Sequence, residues 1–232
     1  YASGINLTEQ ALRIALGDAP SISLTGMPKE PRAVSAERAY ISIPGIIKSV
    51  SGCEEAKNIP YVKNIFPRVK AGDIVSFPVN NVEKCGNIIS CAENREEAVK
   101  SAESAVKNII IRLDAGCRTT KEFLEEDLFT EFPPSAYKAS KNDIDSLLTA
   151  SKGKTISIEN IIQNARALLP YFLRDNDLCD WNHKSALFAL EQFCIIAEKE
   201  NKKSRIVNVE QFWRYFLRGG LQGLLYLLDG EA

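Results

Sequence analysis

Between residues 38 and 111 the chain runs through short β-branched segments, each broken after a few residues by Gly, Pro or Asn, and then enters one capped amphipathic helix. Connections that short cannot hold crossover helices, so neighbouring strands must run antiparallel. Ala39, Ile41 and Ile43 alternate with Tyr40 and Ser42, which predicts a strand over 39–43 with the first three side chains inward. Pro44-Gly45 turns the chain into a second strand over 46–50, and a short helix over 53–58 stops before Pro60. Further strands are predicted over 61–69, 74–77 and 85–92, with Ala71-Gly72-Asp73 as a turn. Pro67 and Pro78 have no N–H for a ladder and belong at strand ends, edges or bulges. Asn94-Arg95-Glu96-Glu97 has the form of a capping box. After it, Ala98, Ala102, Ala105, Val106, Ile109 and Ile110 form an apolar stripe whose small residues let a helix lie close to a sheet. The unit reads as one α+β layer, a mostly antiparallel sheet with packed helices.

Upstream, Asn6-Leu7-Thr8-Glu9 is another capping box, and Leu7, Ala11, Leu12, Ala15 and Leu16 recur at helical spacing until Gly17. A helix this short is not stable in water by itself, so its stripe must rest on something. Ile22 and Leu24 suggest a short strand before the turn cluster at 26–31. Downstream, Gly116 stops the helix and the apolar rhythm pauses between Asp114 and Thr120. The rest reads as an all-helical bundle, with helices over 120–129, 140–150, 157–169, 180–201 and 209–228. Ser140, Ser157 and Asn208 are the expected N-caps, each worth about 1 kcal/mol. The expected organisation is an α+β domain over 1–113, in which 1–33 is the edge of a larger core, followed by a helical domain over 119–232.

A chain of 232 residues buries a sizeable core without disulfides or metals. The net charge of −1, with neither the part before Gly116 nor the part after it strongly basic, argues against nucleic acid or an anionic membrane as partner. The apolar runs fall short of the ~20 residues a membrane helix needs, and no signal peptide opens the chain. Six cysteines (Cys53, Cys85, Cys91, Cys117, Cys179 and Cys194) lie far apart with no C-x-x-C pair, and only His183 could join them at a metal. Reduced, buried thiols in a cytoplasmic protein are the expectation. The first residue is Tyr1, and the chain opens in the middle of a unit, which together suggest a fragment of a longer protein.

Groups that could carry chemistry are few. His183 sits at an expected helix start with no evident nucleophile, and reads as a surface or capping residue. Cys53 precedes a short helix whose dipole favours a thiolate, but Glu54 and Glu55 oppose it. The carboxylate runs Glu54-Glu55, Glu96-Glu97 and Glu125-Glu126-Asp127 read as solvated helix faces, two of them in first turns. Gly219-Gly220-Leu221-Gln222-Gly223 lacks the strand before and the Lys-Ser/Thr after that a phosphate loop requires, and reads as a kink or close helix contact. Phe212-Trp213-Arg214-Tyr215-Phe216 with Arg218 interleaves rings and cations as an RNA-binding surface does. At helical spacing the same residues give a core or interface stripe with two exposed arginines. The segment 179–184 shows no chemistry. No catalytic, cofactor-binding or metal-binding residue is assigned.

The order of these segments carries a resemblance. Ser3-Gly4-Ile5 through Ala15-Leu16-Gly17, then 39–43, Pro44-Gly45, 46–52, Glu54-Glu55 and Ile59-Pro60-Tyr61-Val62 form its first part. Lys70-Ala71-Gly72-Asp73-Ile74, Cys85-Gly86-Asn87-Ile88-Ile89 and Asn94-Arg95-Glu96-Glu97-Ala98 complete it. That succession resembles the C-terminal domain of ATP-grasp carboxylate–amine ligases, the group with carbamoyl-phosphate-synthase-like proteins and L-amino-acid ligases. It is also similar to the last part of biotin carboxylases. The likeness covers the first half of the chain. It implies a parent enzyme that activates a carboxylate with ATP as an acyl phosphate for attack by an amine, assisted by magnesium. The family's metal ligands and ATP-binding lysines have no matching positions here, so no cofactor is expected on this chain itself. The implied partner is an ATP-binding lobe in cis, which the 38–113 unit would brace while walling the substrate side. The alternative is a non-catalytic assembly module whose helical tail makes a homodimer or docks another protein.

Overall fold

A computed structural model describes residues 2–21, 33–175 and 177–230. The expected strand and loop at 22–31 lie outside the described residues. Helix α1 (Leu7–Ala15) begins at Asn6, whose side chain accepts the Glu9 N–H, and ends before Gly17 at φ +86°. Among the described residues eight strands follow: β1 (Val34–Tyr40), β2 (Gly45–Ser51), β3 (Val62–Pro67), β4 (Ile74–Val75), β5 (Gly86–Ala92), β6 (Ile110–Leu113), β7 (Thr155–Ser157) and β8 (Ile206–Asn208). Every pairing among them is antiparallel, but each joins strands that other strands or helices separate in sequence, so short connections do not account for it. One sheet has the order β1-β5-β3, a second β4-β2-β6, and β7 pairs with β8 in a ribbon.

Helix α2 (Cys53–Lys57) connects β2 to β3, and α3 (Arg95–Asn108) crosses β1 and β5. Its N-cap Asn94 accepts from the Glu97 N–H at 2.9 Å. Ala98 and Ala102 of α3 bury against Ala36 and Ala92. Four small side chains at that contact bring helix and sheet backbones close, and the Ser90 hydroxyl uses the proximity to donate to the Ala98 carbonyl at 2.5 Å.

Three local expectations change. Strand β1 starts at Val34, ends at Tyr40 and buries Ala36 and Tyr40 rather than Ala39 and Ile41. Ile41–Ile43 has left the sheet, because side chains from the tail bind its backbone groups in place of a strand. Helix α3 ends at Asn108 rather than near Gly116, and Ile110–Leu113 forms β6. The triple Ile109-Ile110-Ile111 is β-branched, and Ile109 is already extended at ψ 126°. The segment 180–185 is a loop, and the helix expected from Asp180 begins at Ala186.

The tail comprises α4 (Arg118–Glu125), α5 (Lys141–Ser151), α6 (Ile158–Leu168), α7 (Ala186–Lys199) and α8 (Val209–Asp229). Ser140, Ser157 and Asn208 cap α5, α6 and α8 as their spacing predicts. Helix α8 is broken at Gly220, where φ is +57° and ψ −141°, a conformation open essentially to glycine alone. The chain folds back on itself there. A Cβ on Gly223 would lie 2.0 Å from the Tyr215 carbonyl oxygen, so the two arms touch backbone to backbone. The carbonyls released at the break are taken up: Leu217 accepts from the Tyr137 N–H and Arg218 from the Ala136 N–H, both at 3.2 Å. Every residue from 212 to 228 except Arg214 is buried. This plug covers β6 and α4, so Ile43, Ile47 and Leu113 share one hydrophobic core with Phe193, Phe216 and Leu224.

Candidate functional site

Where the tail meets the β1–β2 connection, polar side chains converge in a buried setting. Cys179 and Ser185 form an antiparallel bridge that closes a tight loop. Inside it the Asp180 N–H donates to the Lys184 carbonyl at 2.9 Å, and His183 takes a left-handed φ of +59°. Asp180 Oδ1 accepts the N–H groups of Asn182 (2.8 Å) and Lys184 (2.9 Å), the use of a short carboxylate to hold its own turn. The Tyr137 hydroxyl donates to the Lys184 carbonyl at 3.2 Å.

The loop presents Asn182 to the backbone of Ile41. The Ile41 N–H donates to Asn182 Oδ1 and Asn182 Nδ2 donates to the Ile41 carbonyl, both at 2.9 Å. Two residues on, the Ile43 N–H donates to Gln222 Oε1 at 3.2 Å, while Gln222 Nε2 donates to the Ser42 hydroxyl at 2.8 Å. Two carboxamides thus replace the strand partner that Ile41–Ile43 lacks. Burial raises the Asp180 pKa, against the pull of the Lys184 charge and the two backbone N–H groups. Burial also lowers Lys184 to about 8, opposed by Asp180. Asp180 and Lys184 are only 8% and 3% exposed, so this arrangement holds elements together rather than acting on a ligand from solvent.

The residues singled out in the sequence do not converge. His183 is half-buried beside this joint, and burial lowers its pKa. Cys53 is half-buried and its thiol is raised by burial, with Glu54 and Glu55 adding to the rise against Lys57. Cys85, Cys91 and Cys194 are buried, Cys53 and Cys117 are half-buried, and Cys179 is exposed. Burial pushes Cys85 up to about 12 and Cys194 up to about 11. Glu54 pairs with Lys57 at 2.6 Å, and Asn94 Nδ2 donates to Glu97 at 2.8 Å. Phe212, Trp213, Tyr215 and Phe216 are buried and offer no stacking platform. Arg218, expected on the surface, is fully buried. Its Nε donates to the Phe123 carbonyl (3.1 Å), Nη1 to the Pro133 carbonyl (2.7 Å) and Nη2 to Glu126, while the guanidinium stacks on the Phe123 ring. The sharp break at Gly220 turns this helix face inward, and a helical wheel cannot show that.

Among the described residues no group of three His, Cys, Asp or Glu is placed to hold a metal ion. None of the described helices is long and apolar enough to cross a membrane. A recess of about 400 Å³ lies between α4, β8 and the two arms of α8, near Lys121, Arg205 and Tyr215. The tyrosine hydroxyls there are already engaged, Tyr226 with the Cys117 carbonyl and Tyr215 with Gln211 and Glu125. At the opposite end of the chain α1 has no buried residue, and Leu7, Leu12, Ile14 and Leu16 are 60–80% exposed.

The part of the chain that includes the first half of this joint is similar to known proteins. Residues 39–114 match the family model described as L-amino acid ligase C-terminal domain 2. No curated protein matches the chain. Among solved structures, a phosphoribosylglycinamide synthetase from Anaerococcus prevotii aligns at 19% identity with a TM-score of 0.43. An L-amino acid ligase from Bacillus licheniformis aligns at 20% identity with a TM-score of 0.41. Each alignment covers 49% of this chain and 28% of the other, so the chain spans well under a third of the length of these proteins.

Proposed function

From the ATP-grasp ligase C-terminal domain carried by residues 39–114, we propose that this chain is the C-terminal portion of an ATP-dependent carboxylate–amine ligase. In this reading it braces the ATP-binding lobe and walls the substrate side of the cleft, and it is inactive by itself. The family match over 39–114 is the observation that carries the reading. The bare apolar face of α1 supports it: four large side chains facing solvent are a surface made to be covered.

The described residues do not fit a nucleotide with magnesium. No three of their carboxylates gather where a metal ion could sit, and the buried Asp229 is already paired with Lys48, Arg112 and Lys202. No catalytic step is therefore assigned to this chain. Assembly through the helical tail is the less favoured reading, because the apolar stripes of α7 and α8 are used inside the chain.

Isothermal titration of the purified chain with Mg-ATP tests the proposal. The expected result is no binding heat and no ATP hydrolysis. A stoichiometric nucleotide site on this chain alone would overturn it.

A further inference from the structure

The joint between tail and sheet encloses a cavity of about 10 Å³ beside β6, with Asp180, Asn182, Lys184 and Gln222 in its wall. That is about the smallest space that holds one water molecule. The hydrogen-bond inventory of its wall is incomplete. The Lys184 ammonium has three N–H groups but one protein acceptor among the described residues, the Val106 carbonyl at a long 3.4 Å. Among the described residues no carboxylate comes within 4.0 Å of it. Asp180 Oδ1 takes two backbone N–H groups, whereas Oδ2 has no hydrogen bond to the described residues and lies against Gly220. Gln222 Nε2 uses one of its two N–H groups, on Ser42.

The residues that carry these spare donors and this spare acceptor therefore line a space of one-water size. The Asp180 N–H donates to the Lys184 carbonyl and the Lys184 N–H to Asp180 Oδ1, so main-chain N–H groups rather than an ion pair of the two side chains close the 179–185 loop. One carboxylate and one ammonium leave the wall close to neutral, which favours neither a cation nor an anion as occupant. We propose that this cavity is a built site for one ordered water, which accepts from the Lys184 ammonium and donates to the free oxygen of Asp180. The water completes the joint that holds Ile41–Ile43 against the tail. It also explains how a lysine this deeply buried keeps its place with so few protein partners.

A crystal structure of the full chain at a resolution that shows ordered water tests this. The expected result is one peak within hydrogen-bonding distance of both Lys184 Nζ and Asp180 Oδ2. An empty cavity, a direct Lys184–Asp180 contact, or an anomalous signal identifying an ion would each overturn it. In solution, cross-relaxation between water and the Lys184 side chain should report a long-lived contact, and its absence would count against the site.

Discussion

Asn182 does with one carboxamide what a neighbouring strand does with a peptide group: it accepts from the Ile41 N–H and donates to the Ile41 carbonyl. Asn182→Ala removes both bonds and leaves two half-buried backbone groups to whatever water can reach them. The expected loss is about 2 kcal/mol in urea unfolding, with the m-value unchanged. A second residue-scale expectation concerns Asp229, whose side chain is 1% exposed and contacts Arg112, Lys202 and Lys48. Burial pushes its pKa up, but the hydrogen bonds from Lys202 and Arg112 outweigh that and hold it below the usual carboxylate value. A depressed folded pKa gives stability that is fully present above the unfolded value and lost as pH falls through the folded one. Asp229→Asn should therefore cost about 2 kcal/mol at neutral pH. The gap between the two proteins should close as the solution is acidified through the carboxylate range, which chemical denaturation at a series of pH values measures.

At the scale of elements, the break in α8 shows where the amino-acid sequence could be read and where it could not. Asn6, Asn94, Ser140, Ser157 and Asn208 announce their helices because a cap is a contact over three residues, and the structure places all five. That the strands pair antiparallel was expected, but their order, β1-β5-β3 in one sheet and β4-β2-β6 in another, was not legible, because each pair joins segments far apart in sequence. The phase of β1 was not legible either. Whether Ile41 continues a strand depends on Asn182, 141 residues further on. Nor was β6, where a run of isoleucines fits a helical stripe and an extended strand equally well until a sheet edge is present to receive it. The glycines of 219–223 were readable as a kink or a close contact and prove to be both, yet the reversal that buries Arg218 needed the fold. Because Gly223 lies against the Tyr215 carbonyl, Gly223→Ala must push the two arms apart. A loss of about 3 kcal/mol or more is expected, read as a fall in melting temperature. Substitution of the exposed Gly72, with open space around its Cβ position, should cost less despite its φ of +90°.

For the whole molecule, the decisive fact is that residues from both sides of Gly116 fill one core. Removing 117–232 would strip Ile43, Ile47 and Leu113 of their cover and leave the Ile41–Ile43 backbone without partners. The expected outcome is a chain with no cooperative unfolding transition, monitored by near-UV circular dichroism. A stable, cooperatively unfolding 1–116 fragment would show that the sheet unit stands without its tail. The bare face of α1 is the opposite case, a set of large apolar side chains that the described part of the molecule leaves open.

The fold-back at Gly220 also has a bearing on how the protein is made. Leu221–Leu228 are buried over β6 but leave a ribosome long after β1 to β6 have emerged, so those strands must wait, with their inner face uncovered, for the fold-back to follow. During that interval the nascent protein should be a client for chaperones, and a premature stop anywhere before the fold-back would yield not a smaller protein but a substrate for proteolysis.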